Sequence, residues 1–343
     1  MSVFHPAASV RGLALVAAAA VGFALPAAAE TPIKFSLDWK IEGPAAPFLI
    51  AQEKGYFADE GLDVTVDTGS GSVEPINRVA SGAYDMGFGD INSVIKFNDQ
   101  NPDTALKSVY MVYNKPAFAI VGRKSLGVTA PKDLEGKKLG APAPDGAYAQ
   151  WPIFVEANGI DASKVTIENV GFPVREPMLA SGQVDAITGF SFSSFINLKA
   201  NGVPVDDIAV MLMADYGVDL YGNTIIVSPA FAEAHPDAVK GFLKALNKAI
   251  KETAADPEAA IEYVTAANAV VDKDTELERL KMAFDQNVMT DEVKANGLGA
   301  VDMERLGKAI DQIGLTFEFS AKPTAEATFD ASFLPDAADR MVE

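Results

Sequence analysis

The chain states one phrase twice. Residues 78–93 read Arg-Val-Ala-Ser-Gly-Ala-Tyr-Asp-Met-Gly-Phe-Gly-Asp-Ile-Asn-Ser, and residues 178–194 read Met-Leu-Ala-Ser-Gly-Gln-Val-Asp-Ala-Ile-Thr-Gly-Phe-Ser-Phe-Ser-Ser. Ala80-Ser81-Gly82 falls on Ala180-Ser181-Gly182, and Asp85 on Asp185. Each copy runs from a helix end through Ala-Ser-Gly and an Asp into a short apolar strand, then a Gly and polar residues placed to open another helix. Two α/β units on one plan follow from this. A strand that ends in a small polar loop at a helix N-terminus exposes backbone N–H groups and hydroxyls, a natural place to hold a ligand. Two readings stay open here: two lobes gripping one molecule, or ordinary α/β repetition in which Gly ends a helix in both copies.

A length of 343 residues admits two domains or one large one. Arg11 is the only charged residue before Glu30, and Gly12 to Leu25 is an apolar run closed by Pro26 and Ala27-Ala28-Ala29. A basic residue, a short apolar stretch and an Ala-x-Ala end describe a cleavable secretory signal over residues 1–29. The run is too short to span a bilayer, so the expectation is a soluble periplasmic protein that does not insert in the membrane after cleavage. The chain has no cysteine, which excludes disulfides, thiolate chemistry, Cys-ligated zinc and a lipid anchor. Its formal charge is −19, and −20 once Arg11 leaves with the leader. That excess repels phosphate backbones and anionic surfaces, and nucleic acid is not an expected partner. The two histidines are His5, in the leader, and His235, in a loop before Pro236. No metal site and no Ser–His–Asp triad can be assembled from them, and neither a cofactor nor a catalytic residue is expected.

Along the chain, strands alternate with helices as far as Ser228, predicting doubly wound, mostly parallel sheets. Residues 33–37, 62–66 and 86–88 read as the first strands. A second α/β block is inserted into the first, giving two lobes: 30–121, then 122–223, then a return to the first lobe over 224–343. The crossovers are expected around 118–122 and 221–226, forming a two-strand hinge. Residues 229–315 are helical in pattern, with Val239, Phe242, Leu243, Leu246 and Ile250 at helical spacing.

At this point the chain resembles the periplasmic solute-binding proteins of ABC importers, in the nitrate, taurine, sulfonate and thiamine-precursor (NitT/TauT) branch. The residues that carry the resemblance are Ala51-Gln52-Glu53-Lys54-Gly55-Tyr56-Phe57-Ala58-Asp59-Glu60-Gly61-Leu62-Asp63-Val64, Asp133-Leu134-Glu135-Gly136-Lys137-Lys138-Leu139-Gly140 and Leu179-Ala180-Ser181-Gly182-Gln183-Val184-Asp185-Ala186. The resemblance implies a type II periplasmic-binding fold, a monomer that closes like a flytrap, and an ABC permease and ATPase as partners. Leu37-Asp38-Trp39 resembles the Leu-Asp-Trp of pyrimidine-precursor binders, whose tryptophan lies against the ligand ring. Those proteins continue with Asn, Pro and a His, whereas this chain has Lys40-Ile41-Glu42-Gly43-Pro44. Related fungal enzymes that make the pyrimidine use a sacrificial histidine and a Cys-rich motif. With no Cys and no His in the mature N-terminal lobe, an enzyme of that kind is not expected here.

Strand ends then supply the candidate ligand residues. Trp39 offers a flat face for stacking, or else a plug at the lobe surface. Asp38 accepts from a ring amine or orients its loop. Ser70 and Ser72 follow the second strand. Asp90 reaches a ligand or caps the next helix, with Asn92 and Ser93 as hydrogen-bonding neighbours. In the second lobe the candidates are Tyr148, Trp151, Phe190 and Phe192, and at the return crossover Tyr221 and Asn223. The basic residues near these ends are only Lys40 and Arg175. Aromatic faces together with Asp38, Asp90 and Asp145 favour a flat, neutral or weakly cationic solute such as a substituted pyrimidine. An aromatic acid or a taurine-like alkanesulfonate is the alternative.

Overall fold

The structure, a computed structural model, describes residues 1–4 and 30–342. The leader expected over residues 1–29, including His5, lies outside the described residues apart from its first four positions.

The first lobe opens with β1 (Thr31–Ser36), α1 (Ala46–Glu53), α2 (Tyr56–Asp59), β2 (Leu62–Asp67), α3 (Val73–Ala80), β3 (Met86–Asp90), α4 (Ile91–Gln100) and β4 (Lys107–Met111). The second holds β5 (Phe118–Arg123), β6 (Lys138–Gly140), α5 (Trp151–Asn158), β7 (Thr166–Glu168), α6 (Phe172–Ala180), β8 (Ala186–Phe190), α7 (Ser191–Ala200) and β9 (Ile208–Leu212). The chain returns through β10 (Asn223–Val227) and continues in α8 (Pro229–Ala234), α9 (Pro236–Ala255), α10 (Pro257–Ala267), α11 (Lys273–Ala283), α12 (Asp291–Asn296) and α13 (Met303–Ile313). A π-helical turn, Phe284–Val288, extends α11.

The two sheets have one topology. Strand order is β2-β1-β3-β10-β4 in the first and β7-β6-β8-β5-β9 in the second. In each, two pairs are parallel, and the inserted strand (β10 or β5) runs antiparallel to both neighbours. Each sheet is mixed: four of its five strands run the same way, as expected, and the strand that enters from the other lobe arrives from the opposite end and runs against them. β5 lies wholly in the second sheet and β10 in the first. The crossovers are consequently the segments before them, 112–117 and 217–222, and not the strands themselves.

The repeated phrase performs one backbone task in both copies. Gly82 and Gly182 end their helices at φ 74° and 75°, a left-handed conformation that glycine adopts without a Cβ penalty. Lys34 N donates to Asp85 Oδ2 at 2.8 Å, and Lys138 N donates to Asp185 Oδ2 at 2.8 Å. Each aspartate thus pins the start of its lobe's central strand to the neighbouring strand. The phrase specifies sheet assembly.

Burial explains the strand sequences. In β2, Leu62 and Val64 are buried while Asp63 and Thr65 face water, as expected of an edge strand. The central strands β3 and β10 are buried throughout. A Cβ on Gly87 in β3 would stand 3.2 Å from the side chains of Pro75 and Val79, so glycine lets α3 lie close on the sheet. The apolar stripe of α9 covers the other face, with Phe242 stacked near Phe35 and Phe57 at ring separations of 5.0 and 4.9 Å. The C-terminal helices begin on side-chain caps, Asp256, Asp272, Thr290 and Asp302 each accepting from a backbone N–H of the first turn. Among the described residues no helix is long and apolar enough to cross a membrane.

Candidate ligand-binding cleft

Where the strand ends of the two lobes meet, a cleft opens that holds about 650 Å³ of empty space, open solvent at its mouth included. The first lobe contributes Asp38, Trp39, Glu42, Phe48, Ser72 and Phe88; the second contributes Asp145, Phe172, Arg175, Phe190 and Phe192. Tyr113, on the first crossover, lies between them. Its ring stands edge-on to Phe88, Phe190 and Phe192 at 5.3, 6.3 and 6.0 Å. Burial pushes the Tyr113 hydroxyl well above its ordinary range, so it stays protonated at all working pH values.

The aromatic wall is formed by one residue from each lobe. Trp39, half-buried, meets Phe172 edge-on at 4.8 Å and 73°. The indole Nε1 is buried without a hydrogen-bond partner, as are Glu42 Oε2 and Ser72 Oγ. The Glu42 carboxylate feels the indole N–H, but the two do not close a hydrogen bond. Glu42 Oε2 is left with only an ion pair to Arg279 Nε at 3.5 Å, while Trp39 Nε1 and Ser72 Oγ have no partner, and buried polar atoms of this kind on one cavity are what a bound polar molecule would satisfy.

Carboxyls dominate the electrostatics. Asp38 accepts from Asn223 Nδ2 at 2.7 Å, and burial, only partly offset by that bond, raises its pKa to about 7. Burial also raises Asp145, against Arg175, and Glu42, against Arg279. Asp145 accepts from Thr188 Oγ1 at 2.8 Å and lies 3.5 Å from Arg175. Arg175 donates to Glu176 at 2.6 and 3.0 Å, so its charge is committed within the protein. The other lining cation, Lys40, is exposed and sits 5.3 Å over the Trp39 ring.

The lobes are closed on each other. Lys96 Nζ donates to Ala149 O at 2.9 Å, and Gln150 Nε2 to Asp90 Oδ2 at 3.0 Å, both between lobes. Gly71, at φ 87°, lies so close to the second lobe that a Cβ would stand 2.6 Å from Pro144 O and 3.0 Å from the Phe172 ring.

Of the residues picked out from the sequence, Asp38, Trp39, Ser72, Phe190 and Phe192 come together on this cavity. Ser70 does not; it lies on the outer rim in a shallow groove with Asn77 and Pro144. Asp90, Asn92 and Ser93 are also absent from the lining. The Asp90 carboxylate is fully buried and accepts from Asn92 N and Nδ2, Ser93 N and Oγ, and Gln150 Nε2. The orphan N–H groups at the start of α4 take this side chain as their cap. Trp151 is buried in a core shared with α13, and Tyr148 lies at the edge of that core. The tight turn over 145–150 aims Asp145 and Gly146 at the cleft instead. Tyr221 is buried at the return crossover, its hydroxyl bonded to Glu292. Asn223 acts through Asp38 and is not itself on the lining.

Phe172, Glu42 and Tyr113 are on the lining but were not among the sequence candidates. Phe172 had a signal available: Gly171-Phe172-Pro173 opens a helix after β7 as Ser72-Val73 opens one after β2, so extending the repeat by one strand leads to it. Glu42 and Tyr113 sit in irregular segments whose direction no periodicity fixes. Among the described residues no group of three or more His, Cys, Asp or Glu side chains is placed to hold a metal ion.

Comparison with known proteins agrees with this architecture. The chain is 29% identical over 238 residues to the formylaminopyrimidine-binding protein of Halalkalibacterium halodurans, covering 67% of this chain and 68% of that one. It is 24% identical over 300 residues to the riboflavin-binding protein RibY of Chloroflexus aurantiacus, covering 84% and 82%. It is 28% identical over 240 residues to a 4-amino-5-hydroxymethyl-2-methylpyrimidine phosphate synthase of Aspergillus parasiticus, covering 67% and 69%. The alkanesulfonate-binding protein SsuA of Xanthomonas axonopodis, solved bound to MOPS, superposes with a TM-score of 0.69 at 13% identity over 88% of this chain and 99% of that one, so the two share the periplasmic-binding fold. Residues 44–260 match the family model described as NMT1/THI5 like, and the chain belongs to that family.

Proposed function

We propose that this protein is the solute-binding component of an ABC importer, that its lobes close over a planar nitrogen heterocycle of the pyrimidine class, and that it performs no chemistry on it. The observation that carries the reading is the wall formed by Trp39 and Phe172 beside buried Asp38. A flat ring fits against the indole face. A carboxyl that titrates near neutrality both donates and accepts: protonated Asp38 gives its proton to a ring nitrogen and takes an N–H from the adjacent amino group. Among the lining residues, Asp38, Glu42 and Asp145 face Lys40 and Arg175; with Arg175 held by Glu176, the cavity disfavours an anion. That argues against the sulfonate and aromatic-acid readings. The names of two relatives, a formylaminopyrimidine binder and a riboflavin binder, point to nitrogen heterocycles as well.

A synthase reading has less support. The cavity is lined by neither His nor Cys, and His235 is exposed against Phe231 on the C-terminal helices. A nucleophile paired with a base within hydrogen-bond reach, which such chemistry needs, is not among the lining residues. The leader-like N-terminus and the names of the relatives support export to the periplasm and delivery to a membrane permease with its ATPase.

The test is calorimetry and thermal shift of the exported protein against hydroxymethylpyrimidine, its formylamino analogue, riboflavin, taurine, an alkanesulfonate and an aromatic acid. Saturation at about 100 times Kd stabilises the folded state by roughly 2.7 kcal/mol. Response to taurine, sulfonate or acid alone rejects the heterocycle.

Two further results are expected. Affinity for the pyrimidine is flat below about pH 7 and weakens toward tenfold per unit above it, because the free protein has then lost the Asp38 proton that the complex needs. The same raised value means that the ligand-free fold gains stability from this group in acid and loses it as pH climbs to about 7. In Asp38→Asn, which donates and accepts without titrating, the pH slope of Kd disappears; a slope that persists there assigns the proton elsewhere. Separately, Gly71→Ala weakens binding about tenfold or more, because a Cβ in that left-handed position strains the backbone and meets Pro144 and Phe172 across the closed cleft. Small-angle scattering checks this: the variant's radius of gyration fails to contract on adding ligand.

A further inference from the structure

Two crossovers join the lobes, and both are gripped by one side chain from the C-terminal helices. Glu292, in α12, accepts through Oε1 from Asn114 Nδ2 on the first crossover at 2.9 Å and from Tyr221 Oη on the second at 2.5 Å. Its Oε2 accepts from Arg305 Nη1, in α13, at 2.9 Å. Arg305 reaches the same two segments itself: Nη2 donates to Leu220 O at 2.8 Å, Nη1 to Asn114 Oδ1 at 3.3 Å, and its guanidinium lies 4.0 Å over the Tyr221 ring. Asp302 N donates to Tyr221 Oη at 2.8 Å. The π-helical turn adds a further grip, Lys115 N donating to Asn287 O and Asn287 Nδ2 to Lys115 O at 3.2 and 3.0 Å.

The grip connects with the cleft. Val112 N and Tyr113 N both donate to Asn223 O at 3.0 Å, joining the end of one crossover to the end of the other. Asn223 in turn donates to Asp38, and Tyr113 lines the cavity. Asn114 and Tyr221 are buried, so loss of the Glu292 carboxylate leaves the Asn114 Nδ2 and Tyr221 Oη donors without their acceptor.

We propose that Glu292, held by Arg305, is a hinge lock: by bonding both crossovers at once it fixes their relative twist, favours the closed arrangement of the lobes, and so sets ligand affinity without touching ligand. The inference rests on the reading of the protein as a binder that closes over its solute, and it makes Glu292 a positioning residue. Affinity for a ligand that binds the closed state scales with how much of the protein is already closed.

The absence of native cysteine allows a clean test. Spin labels on Asn77→Cys in the first lobe and Ala143→Cys in the second, both exposed and the latter next to Pro144, which shares a rim groove with Asn77, report lip separation by pulsed electron resonance in the protein without added ligand. In Glu292→Ala the distance distribution shifts to longer separations and broadens, and Arg305→Met shifts it the same way. Glu258→Ala, which breaks the exposed pair with Lys281 on the same helical region, leaves it unchanged. Affinity for hydroxymethylpyrimidine falls about tenfold in the first two and not in the third. If Glu292→Ala does not fold, Glu292→Gln and Asn114→Ala, each of which loses only part of the set, must show the same shift. A lip distance equal to that of the parent in the folded variants, with only melting temperature lowered, overturns the hinge lock. A shifted distance in a protein that binds no pyrimidine supports the lock and rejects the pyrimidine, so the two failures are told apart.

Discussion

Trp39→Ala is expected to weaken pyrimidine binding by a hundredfold or more. A ring stacked on the indole takes roughly 100 Å² of apolar surface out of water, worth about 2.5 kcal/mol at ~25 cal/mol per Å², and offset-stacked geometry adds about 1 kcal/mol. Together these exceed the ~2.8 kcal/mol that a hundredfold change requires. The substitution also removes the buried indole N–H and the edge-on packing with Phe172 that positions the wall from the second lobe. Because Trp39 is only half-buried, unfolding should change much less than binding. Trp39→Phe, which keeps a smaller face and loses the donor, should fall between. Titration calorimetry on the three proteins decides the matter: affinity within about threefold of the parent in Trp39→Ala, under ~1 kcal/mol, would mean that the ligand lies elsewhere in the cleft.

Asp90→Ala should do the reverse, lowering stability steeply while leaving the ligand's own binding partners in place. Its carboxylate is the acceptor for four donors from Asn92 and Ser93 and for Gln150 of the other lobe. Removing it strands buried donors and uncaps α4, and losses of this kind run to about 3–5 kcal/mol. Asp90→Asn keeps one acceptor oxygen and should cost less. Urea unfolding of the ligand-free proteins gives the comparison. If Asp90→Ala unfolds at the parent's midpoint but no longer binds, Asp90 belongs to the ligand and its role as a cap is secondary.

These two residues stand at equivalent strand ends yet differ in what can be read from sequence. The twofold α/β plan, the insertion of one lobe in the other, and the helical C-terminal third were legible because each rests on local pattern: alternation in β2, glycine after Ala-Ser, helical spacing in α9. Trp39 was legible because a strand end, a family triplet and a rare residue type coincide there. The mixed direction of the sheets was not, since it depends on which end of a sheet a returning strand enters.

The site divided along the same line. Asp90, Asn92 and Ser93 have the composition of a ligand loop, yet α4 takes up their hydrogen-bonding capacity. At the matching place in the second lobe, Phe190 has no side-chain cap to offer, and its ring stands at the cavity with Phe192. Sequence offers Asp90 as a ligand contact or a helix cap and Phe190 as a cleft residue; the packed structure shows Asp90 committed to its own helix. Tyr221, Glu292 and Arg305 make the point at longer range. Tyr221 and Glu292 meet across 71 residues of chain, and no pattern links them until the C-terminal helices fold back over the crossovers. What the sequence determined alone is the set of elements and the plan on which they repeat, because periodicity and backbone conformation are local. What the tertiary structure decided is which polar groups remain free for a ligand, because that depends on every partner the folded chain supplies first.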